Sequence, residues 1–276
     1  MIGIVYSSKD PAGAGIAAFL LRELELRNST ICRNAIRCFT DSKIILAEYE
    51  EDVIYFDFLD DRLPSGVDFY LVLSRHSSEA GIRSYTVHAT GNFSREVFAG
   101  GRPRELGIAH PPVMWFLLRS LYNLRNEYTS RENYEVSYEA THHGPTNLSK
   151  PIIFIEIGST HYEWIDSVNH EIIGTAVIEL INHYPNLPKC NPTIGIGGGH
   201  YPRKHSDLAI SEDICYGHIA SKHVLDYLDD QMLHSMRRRC ISDIKSIVIE
   251  KKGTRREHRI LIDRFSTENN LSIRYI

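Results

Sequence analysis

Pro151-Ile152-Ile153-Phe154-Ile155-Glu156-Ile157 decides the fold class. A short, almost unbroken apolar run rich in β-branched and aromatic residues reads as a central strand buried on both faces. Directly after it, Ile165, Val168, Ile172, Ala176 and Leu180 form one stripe over about residues 162–184, with Pro185 just past the end. That spacing predicts an amphipathic helix. A buried strand feeding such a helix is the repeating unit of α/β sheets. Before it, Tyr134 to Glu139 alternates apolar and polar residues, which predicts a strand that the Gly144-Pro145 turn then ends. Lys43 to Glu48, Asp52 to Leu59, Asp68 to Leu73 and Ser84 to His88 also read as strands. Pro111-Pro112 opens a helix with Met114, Leu117, Leu118, Leu121 and Leu124 on one side. At the N-terminus, Ile2 to Tyr6 is a strand, Asp10 a helix cap and Pro11 the first helical residue. Beyond the central pair come a strand at Pro192 to Gly197, a helix near His218 to Leu228, a strand at 246–250, a helix at 255–265 and a strand at 271–275. The expected fold is α/β: a single domain over 1–276, its mixed but mostly parallel sheet covered by helices on both faces, with a basic C-terminal segment from about residue 230.

Composition narrows the function classes. The 276 residues carry a net charge of −4, so any nucleic-acid contact must come from a local basic patch. Arg237-Arg238-Arg239, Lys251-Lys252 and Arg255-Arg256 are such a cluster. No apolar run approaches the roughly 20 residues of a membrane span, and no leader-like segment precedes the first strand. The five cysteines are odd in number, scattered and without a C-x-x-C pair. Reduced thiols and a cytoplasmic protein are the expectation.

Chemistry gathers where strands are predicted to end, which is where open α/β sheets bind ligands. Ser74-Arg75-His76-Ser77, His88, His142-His143, Glu156 and His200 all fall at or near such ends. Neutral imidazoles with a carboxylate suit zinc. No H-E-x-x-H motif is present, so the ligands would come from separate strands, with His88, His143, His200 and Glu156 as candidates. One histidine acting as a general base held by a carboxylate, without metal, is the alternative. His142, His143, His200 and Glu156 are the candidate catalytic groups. Gly197-Gly198-Gly199 brings backbone N–H groups close to a ligand, which suits a phosphate or an oxyanion, or else packs helix on sheet as a tight turn. Lys9, at the first strand-to-helix turn, could meet a phosphate. Arg75 and His76 are further candidates for binding substrate.

At these residues the sequence resembles the archaeal and plant type of D-aminoacyl-tRNA deacylase. The matching stretches are Ser8-Lys9-Asp10-Pro11-Ala12, Ser74 to Ser77, Thr86 to Asn92, Glu139 to Pro145, Glu156 to Ser159 and Gly197 to Pro202. They occur in order from about residue 7 to 205; the chain beyond about 206 offers no motif to match. The resemblance implies hydrolysis of the ester joining a D-amino acid to the tRNA 3′ end. It implies a fold similar to peptidyl-tRNA hydrolase and the phosphorylase/hydrolase-like α/β proteins, zinc, nominally two ions, and a cytoplasmic partner, tRNA charged with a D-amino acid. A monomer is expected. A zinc peptidase or nucleoside phosphorylase-like enzyme, and a non-enzymatic RNA-binding protein with structural zinc, are the rival readings.

Overall fold

The computed structural model describes residues 1–78, 81–97 and 99–276. The chain opens with β1 (Ile2–Ser7), α1 (Pro11–Glu23), β2 (Arg27–Asn28), β3 (Arg37–Thr40) and β4 (Ile44–Tyr49). A 3-10 turn (Val53–Tyr55) and the short α2 (Leu59–Arg62) lead to β5 (Phe69–Ser77), β6 (Ser84–Ala89), α3 (Pro111–Glu127) and β7 (Glu135–Tyr138). Then come β8 (Ile152–Ser159), α4 (His161–Trp164), α5 (Ser167–His183), β9 (Asn191–Ile196), α6 (Arg203–Ser211) and β10 (Ile214–Ala220). The tail is α7 (Asp230–Arg238), β11 (Ser246–Ile249), α8 (Arg256–Glu268) and β12 (Ser272–Tyr275).

The strands divide into two sheets. The larger has the order β2-β3-β4-β1-β5-β8-β6-β7, and the smaller β10-β9-β11-β12. Every pairing in the smaller sheet is parallel. In the larger, β4, β1, β5 and β8 are mutually parallel, while β6 and β7 run the other way. The α/β class and the parallel bias agree with the sequence. The division into two sheets was not legible, because a strand's sequence does not say which sheet it joins.

β8 explains the layering. Side chains alternate along a strand. Ile153, Ile155 and Ile157 pack in one cluster with Ile172, Ile173 and Val177 of α5, Ile16 and Leu20 of α1 and Leu117 and Leu121 of α3. Ile152 and Phe154 point the other way, into a cluster with Val5, Tyr49, Tyr70, Val72 and Leu148. Each fully buried aliphatic or phenylalanine side chain stabilises by about 1.5–3 kcal/mol. In the larger sheet, α1, α3 and α5 therefore share one face; the other is covered by α2, the 3-10 turn and loops. In the smaller sheet, Ile194, Ile196, Ile247 and Ile249 pack on α7 and α8 through Leu233, Met236, Ile262 and Phe265. Tyr216, Ile219 and Val248 join the first cluster, so α3 sits between the sheets.

Four local expectations are corrected. Asp52 to Leu59 is not a strand: Asp52 caps the 3-10 turn through the Ile54 N–H at 3.4 Å, and Val53, Phe56 and Leu59 turn inward at three-residue spacing. The long helix over 162–184 is two, because Asp166 accepts the Val168 N–H and starts α5 afresh after α4. His218 to Leu228 holds the end of a strand and a turn rather than a helix: Cys215, Tyr216 and Ile219 of β10 are buried in the sheet. The cysteines are not all reduced. Cys32–Cys38 and Cys190–Cys215 are disulfides with Cα separations of 6.0 and 5.7 Å, and Cys240 is free. The second pair is brought together by the β9–β10 pairing, a non-local contact that cysteine spacing does not encode.

Candidate active site

Three strands present their polar residues on the Phe154 face of the larger sheet. Glu156 is the one charged residue in the apolar run of β8, and alternation puts it beside Phe154's end of that face. Ser74 on β5 and Thr86 on β6 are its partners across the ladder, which sets His76 and His88 on the same face. His88, near the end of β6, lies opposite Phe154 because β6 runs against β8. The expectation that each group stands near a strand's carboxyl end holds for both His76 and His88, each the last residue but one of its strand.

The remaining groups come from segments that stitch the two sheets together. Past the end of β7, the Glu139 N–H donates to the Val87 carbonyl at 3.1 Å. The next two N–H groups cross to the second half of the chain: Ala140 to the His200 carbonyl and Thr141 to the Ile219 carbonyl, both at 2.9 Å. His218 then bonds the Thr141 hydroxyl through Nδ1 at 3.2 Å. His143 has a positive φ of 44°, and at this bend the rings of His142 and His143 lie 4.3 Å apart. Both face His88, with ring centroids 4.5 and 4.9 Å from its own.

Two carboxylates bind the cluster together. Glu139 lies 3.0 Å from His76 Nδ1, 2.8 Å from His200 Nε2 and 3.5 Å from His142 Nε2. Glu156 lies 3.3 Å from His76 Nδ1 and 3.6 Å from His88 Nε2. Glu139 has no exposed side-chain surface, whereas His200 keeps 42%. These are charge contacts rather than aligned hydrogen bonds, since both Glu139 oxygens and the Nε2 atoms of His76 and His88 are buried without an aligned partner. Such orphaned groups are costly unless something else occupies them.

Electrostatics sorts the histidines. Burial disfavours the charged form of His76, but its contacts with Glu139 and Glu156 outweigh this and raise its pKa to about 10. His88 is raised by Glu156 against the same burial. Burial, with the neighbouring imidazoles His143 and His88, holds His142 well below its ordinary value. Burial and His88 bring His143 down to about 4. Burial pushes both carboxylates up, yet the imidazoles win and both are lowered, Glu139 strongly. The carboxylates are thus ionised near neutrality while His142 and His143 are neutral.

The ring nitrogens are also sorted. Nδ1 of His88, His142 and His143 meets the backbone carbonyls of Ala89, Ala140 and Gly144 at 3.2, 2.9 and 2.7 Å. A carbonyl only accepts, so the partner assigns a proton to Nδ1 of each ring, and on the neutral His142 and His143 this leaves the lone pair on Nε2. Donor atoms of His88, His142 and His143 lie within 4.8 Å of one another, as do those of His76, Glu139 and His200 and those of His88, Glu139 and Glu156. These donor sets fit a metal ion, and fixed Nδ1–H groups are what metal-binding histidines display. The cluster opens on a cavity of about 270 Å³ whose outer wall includes Lys9, Asp52, Ile54 and Arg75.

A protein-family model described as D-aminoacyl-tRNA deacylase matches residues 63–274. The chain belongs to the D-aminoacyl-tRNA deacylase family. It is 52% identical over 276 residues to a D-aminoacyl-tRNA deacylase of Desulfurococcus amylolyticus, covering 100% of both chains. It is also 52% identical to that of Staphylothermus marinus over 274 residues, covering 99% of each. A crystal structure of a conserved protein of unknown function superposes with a TM-score of 0.91 at 26% identity, covering 100% of this chain and 95% of that one. The match reaches well past residue 206, so the deacylase family includes the second sheet.

Within this deacylase frame, the sequence candidates separate. His88, His142, His143, Glu156 and His200 converge, and His76 joins them between the carboxylates while also lining the cavity. Lys9 and Arg75 do line the cavity. Gly197, Gly198 and Gly199 are not among its lining residues. The Gly197 N–H is taken by the Ala220 carbonyl at 2.8 Å, and Gly198 would bring a Cβ to 3.1 Å from the Glu250 carboxylate, which no oxyanion would share. The oxyanion role is withdrawn from the turn; positive φ values of 94° and 82° at Gly197 and Gly198 make it the bend that delivers His200. Glu139 was missed as a site residue. Its signal was its place three residues before His142. The basic cluster is partly spent on structure: Arg239 donates to the carbonyls of Leu106 and Thr146 at 2.8 and 3.0 Å, and Arg237 to Asn269 at 3.0 Å.

Proposed function

We propose that this crevice is where the enzyme hydrolyses the ester between a D-amino acid and tRNA, with zinc held by its imidazoles and Glu139. Family membership supports the reaction and the substrate. The observation that carries the metal is the trio His88, His142 and His143: each has Nδ1 against a backbone carbonyl, and one donor atom of each lies within 4.8 Å of the others. Three protein donors leave a position for water, the pattern of a catalytic zinc. His76, Glu139 and His200 form a second set, which supports two ions. Zinc, when bound, lowers the pKa of a water to about 7 and polarises the ester carbonyl.

The chain's own groups do the rest. Glu156 touches one imidazole of each set, His76 and His88, and so fixes both rings. Being ionised near neutrality, it can take a proton from the attacking water. Lys9 and Arg75, at the outer wall, suit phosphates of the tRNA terminus. The cavity is complete within one chain, which supports a monomer. Residues of both sheets build it, which supports treating 1–276 as one unit. A tRNA substrate supports the cytoplasm. Among the described residues no helix is long and apolar enough to cross a membrane. Disulfides do occur in intracellular proteins of hyperthermophilic archaea. The peptidase, phosphorylase and RNA-binding readings gain no support from the relatives.

The test is deacylation of D- and L-aminoacyl-tRNA bearing the same amino acid, before and after chelation. We expect selective hydrolysis of the D form, lost by at least about 100-fold on chelation and restored by zinc. Equal rates on the two enantiomers would reject the substrate. Turnover indifferent to chelator would remove the metal.

A further inference from the structure

We infer that the carboxyl edge of the smaller sheet is the surface on which the tRNA backbone lies. The inference rests on the deacylase reading and names the part of the chain that holds the rest of the substrate.

The smaller sheet has its own switch point. From β9 the chain goes to β10 on one side, then crosses to β11 on the other. Open parallel sheets bind ligands outside the carboxyl ends of strands at such a reversal. There Ile196 pairs with Ile249, so the turn after β9 and the turn after β11 emerge side by side. The first turn leads within four residues to His200, already in the crevice against Glu139. The second is Glu250-Lys251-Lys252-Gly253. Lys222, after β10, closes the group: its N–H donates to the Gly198 carbonyl at 2.8 Å, and its stem lies 3.2 Å from where a Cβ on Gly253 would stand.

This edge is rich in exposed, uncommitted cations. Lys204, Lys222, Lys251, Lys252 and Arg256 are all exposed. Among the described residues none of the five has a carboxylate within ion-pair distance; Lys251 lies over the Tyr275 ring at 5.2 Å. Arg255, by contrast, is engaged by Asp226 and Glu257. Glu250 decides the kind of anion. Its carboxylate stands beside Gly198, on the floor between the turns, and would repel a phosphate sunk into the glycines. The cations stand on the exposed loops around it. That arrangement suits a polyanion passing over the edge, touched at several phosphates, rather than one enclosed phosphate group.

The probe is uncharged tRNA, whose binding to the full-length protein is measured by anisotropy at several KCl concentrations. A Lys222→Ala/Lys251→Ala/Lys252→Ala variant should bind about tenfold or more weakly. Its slope of log affinity against log salt should be shallower by about 2 to 3, near one unit per lost phosphate contact. A matched Arg22→Ala/Lys43→Ala/Lys189→Ala variant, with charges removed at the opposite ends of the strands, should bind like the unmodified chain. Identical affinity and slope for the two triple variants would overturn the inference. Deacylation with lysine-independent binding would sink the surface and leave the function. Lysine-dependent binding without deacylation would do the reverse.

Discussion

Around Glu139 and Glu156 five imidazoles meet, four of them lining the cavity, while His205 on α6 and His218 on β10, with no exposed surface at all, do not line it. His205 rests its Nδ1 on the Tyr216 hydroxyl at 3.0 Å. His218 has both nitrogens taken, by Thr141 at 3.2 Å and the Arg239 carbonyl at 3.1 Å. Burial lowers both to about 4, so both are neutral parts of the packing. Burial is common to the two regions and cannot be what makes a site. The difference is the pair of carboxylates. They keep charge in the interior and gather imidazoles around it. The neutral set does support the charged one, because His218 holds the Thr141 hydroxyl two residues past Glu139.

The comparison breaks first at Glu139. Glu139→Gln keeps the shape and removes the charge. D-aminoacyl-tRNA turnover should fall by about 10³-fold or more, since a metal donor and the charge that organises three imidazoles go together. Bound zinc, read by elemental analysis, should drop, while circular dichroism stays native. A variant that retains both zinc and rate would show that the carboxylate is only structural.

Acid should sharpen the contrast from the other side. The folded-state pKa of His205 lies near 4, below its ordinary 6.5. Between these values the unfolded chain binds the extra proton, so stability is full above about pH 6.5 and is lost as pH falls toward 4. The gap is worth roughly 3 kcal/mol. His205→Gln should therefore lose about 3 kcal/mol less than the unmodified chain over that window, in denaturant melts at each pH. Equal pH dependence in the two proteins would mean that His205 is not held neutral.

The same contrast explains what could be read from sequence. β8 and α5 were legible because their apolar spacing is local and uninterrupted. His142 and His143 were legible because they are adjacent and precede a Gly-Pro turn. Glu139 was hidden, for a single glutamate at a strand end looks like any solvent-facing residue until β5 and the glycine turn bring His76 and His200 against it. The run Arg237-Arg238-Arg239 misled for the opposite reason. A charge run suggests one exposed face, yet three consecutive residues at the end of a helix point in different directions, and the third turns inward to the carbonyls of Leu106 and Thr146. The second sheet and the Cys190–Cys215 disulfide depend on strand pairings between separate segments, which no local pattern contains, whereas Cys32–Cys38 joins residues only six apart.

The smallest expected effect lies at the mouth of the cavity and asks where the site ends. Lys9 is held only loosely: its ammonium is 3.9 Å from Glu50, and its side chain is 61% exposed. An exposed pair at that distance contributes little to stability, about 0–1 kcal/mol. Lys9→Ala should accordingly leave the melting temperature within error. If the ammonium meets a phosphate near the tRNA terminus, its loss should raise KM for D-aminoacyl-tRNA by about 3- to 10-fold, leave kcat nearly intact and make the salt dependence shallower by about one unit of slope. A fall in kcat without a change in salt dependence would instead place Lys9 among the groups that act on the ester, and the reacting centre would have to extend from the imidazoles to the turn that opens α1.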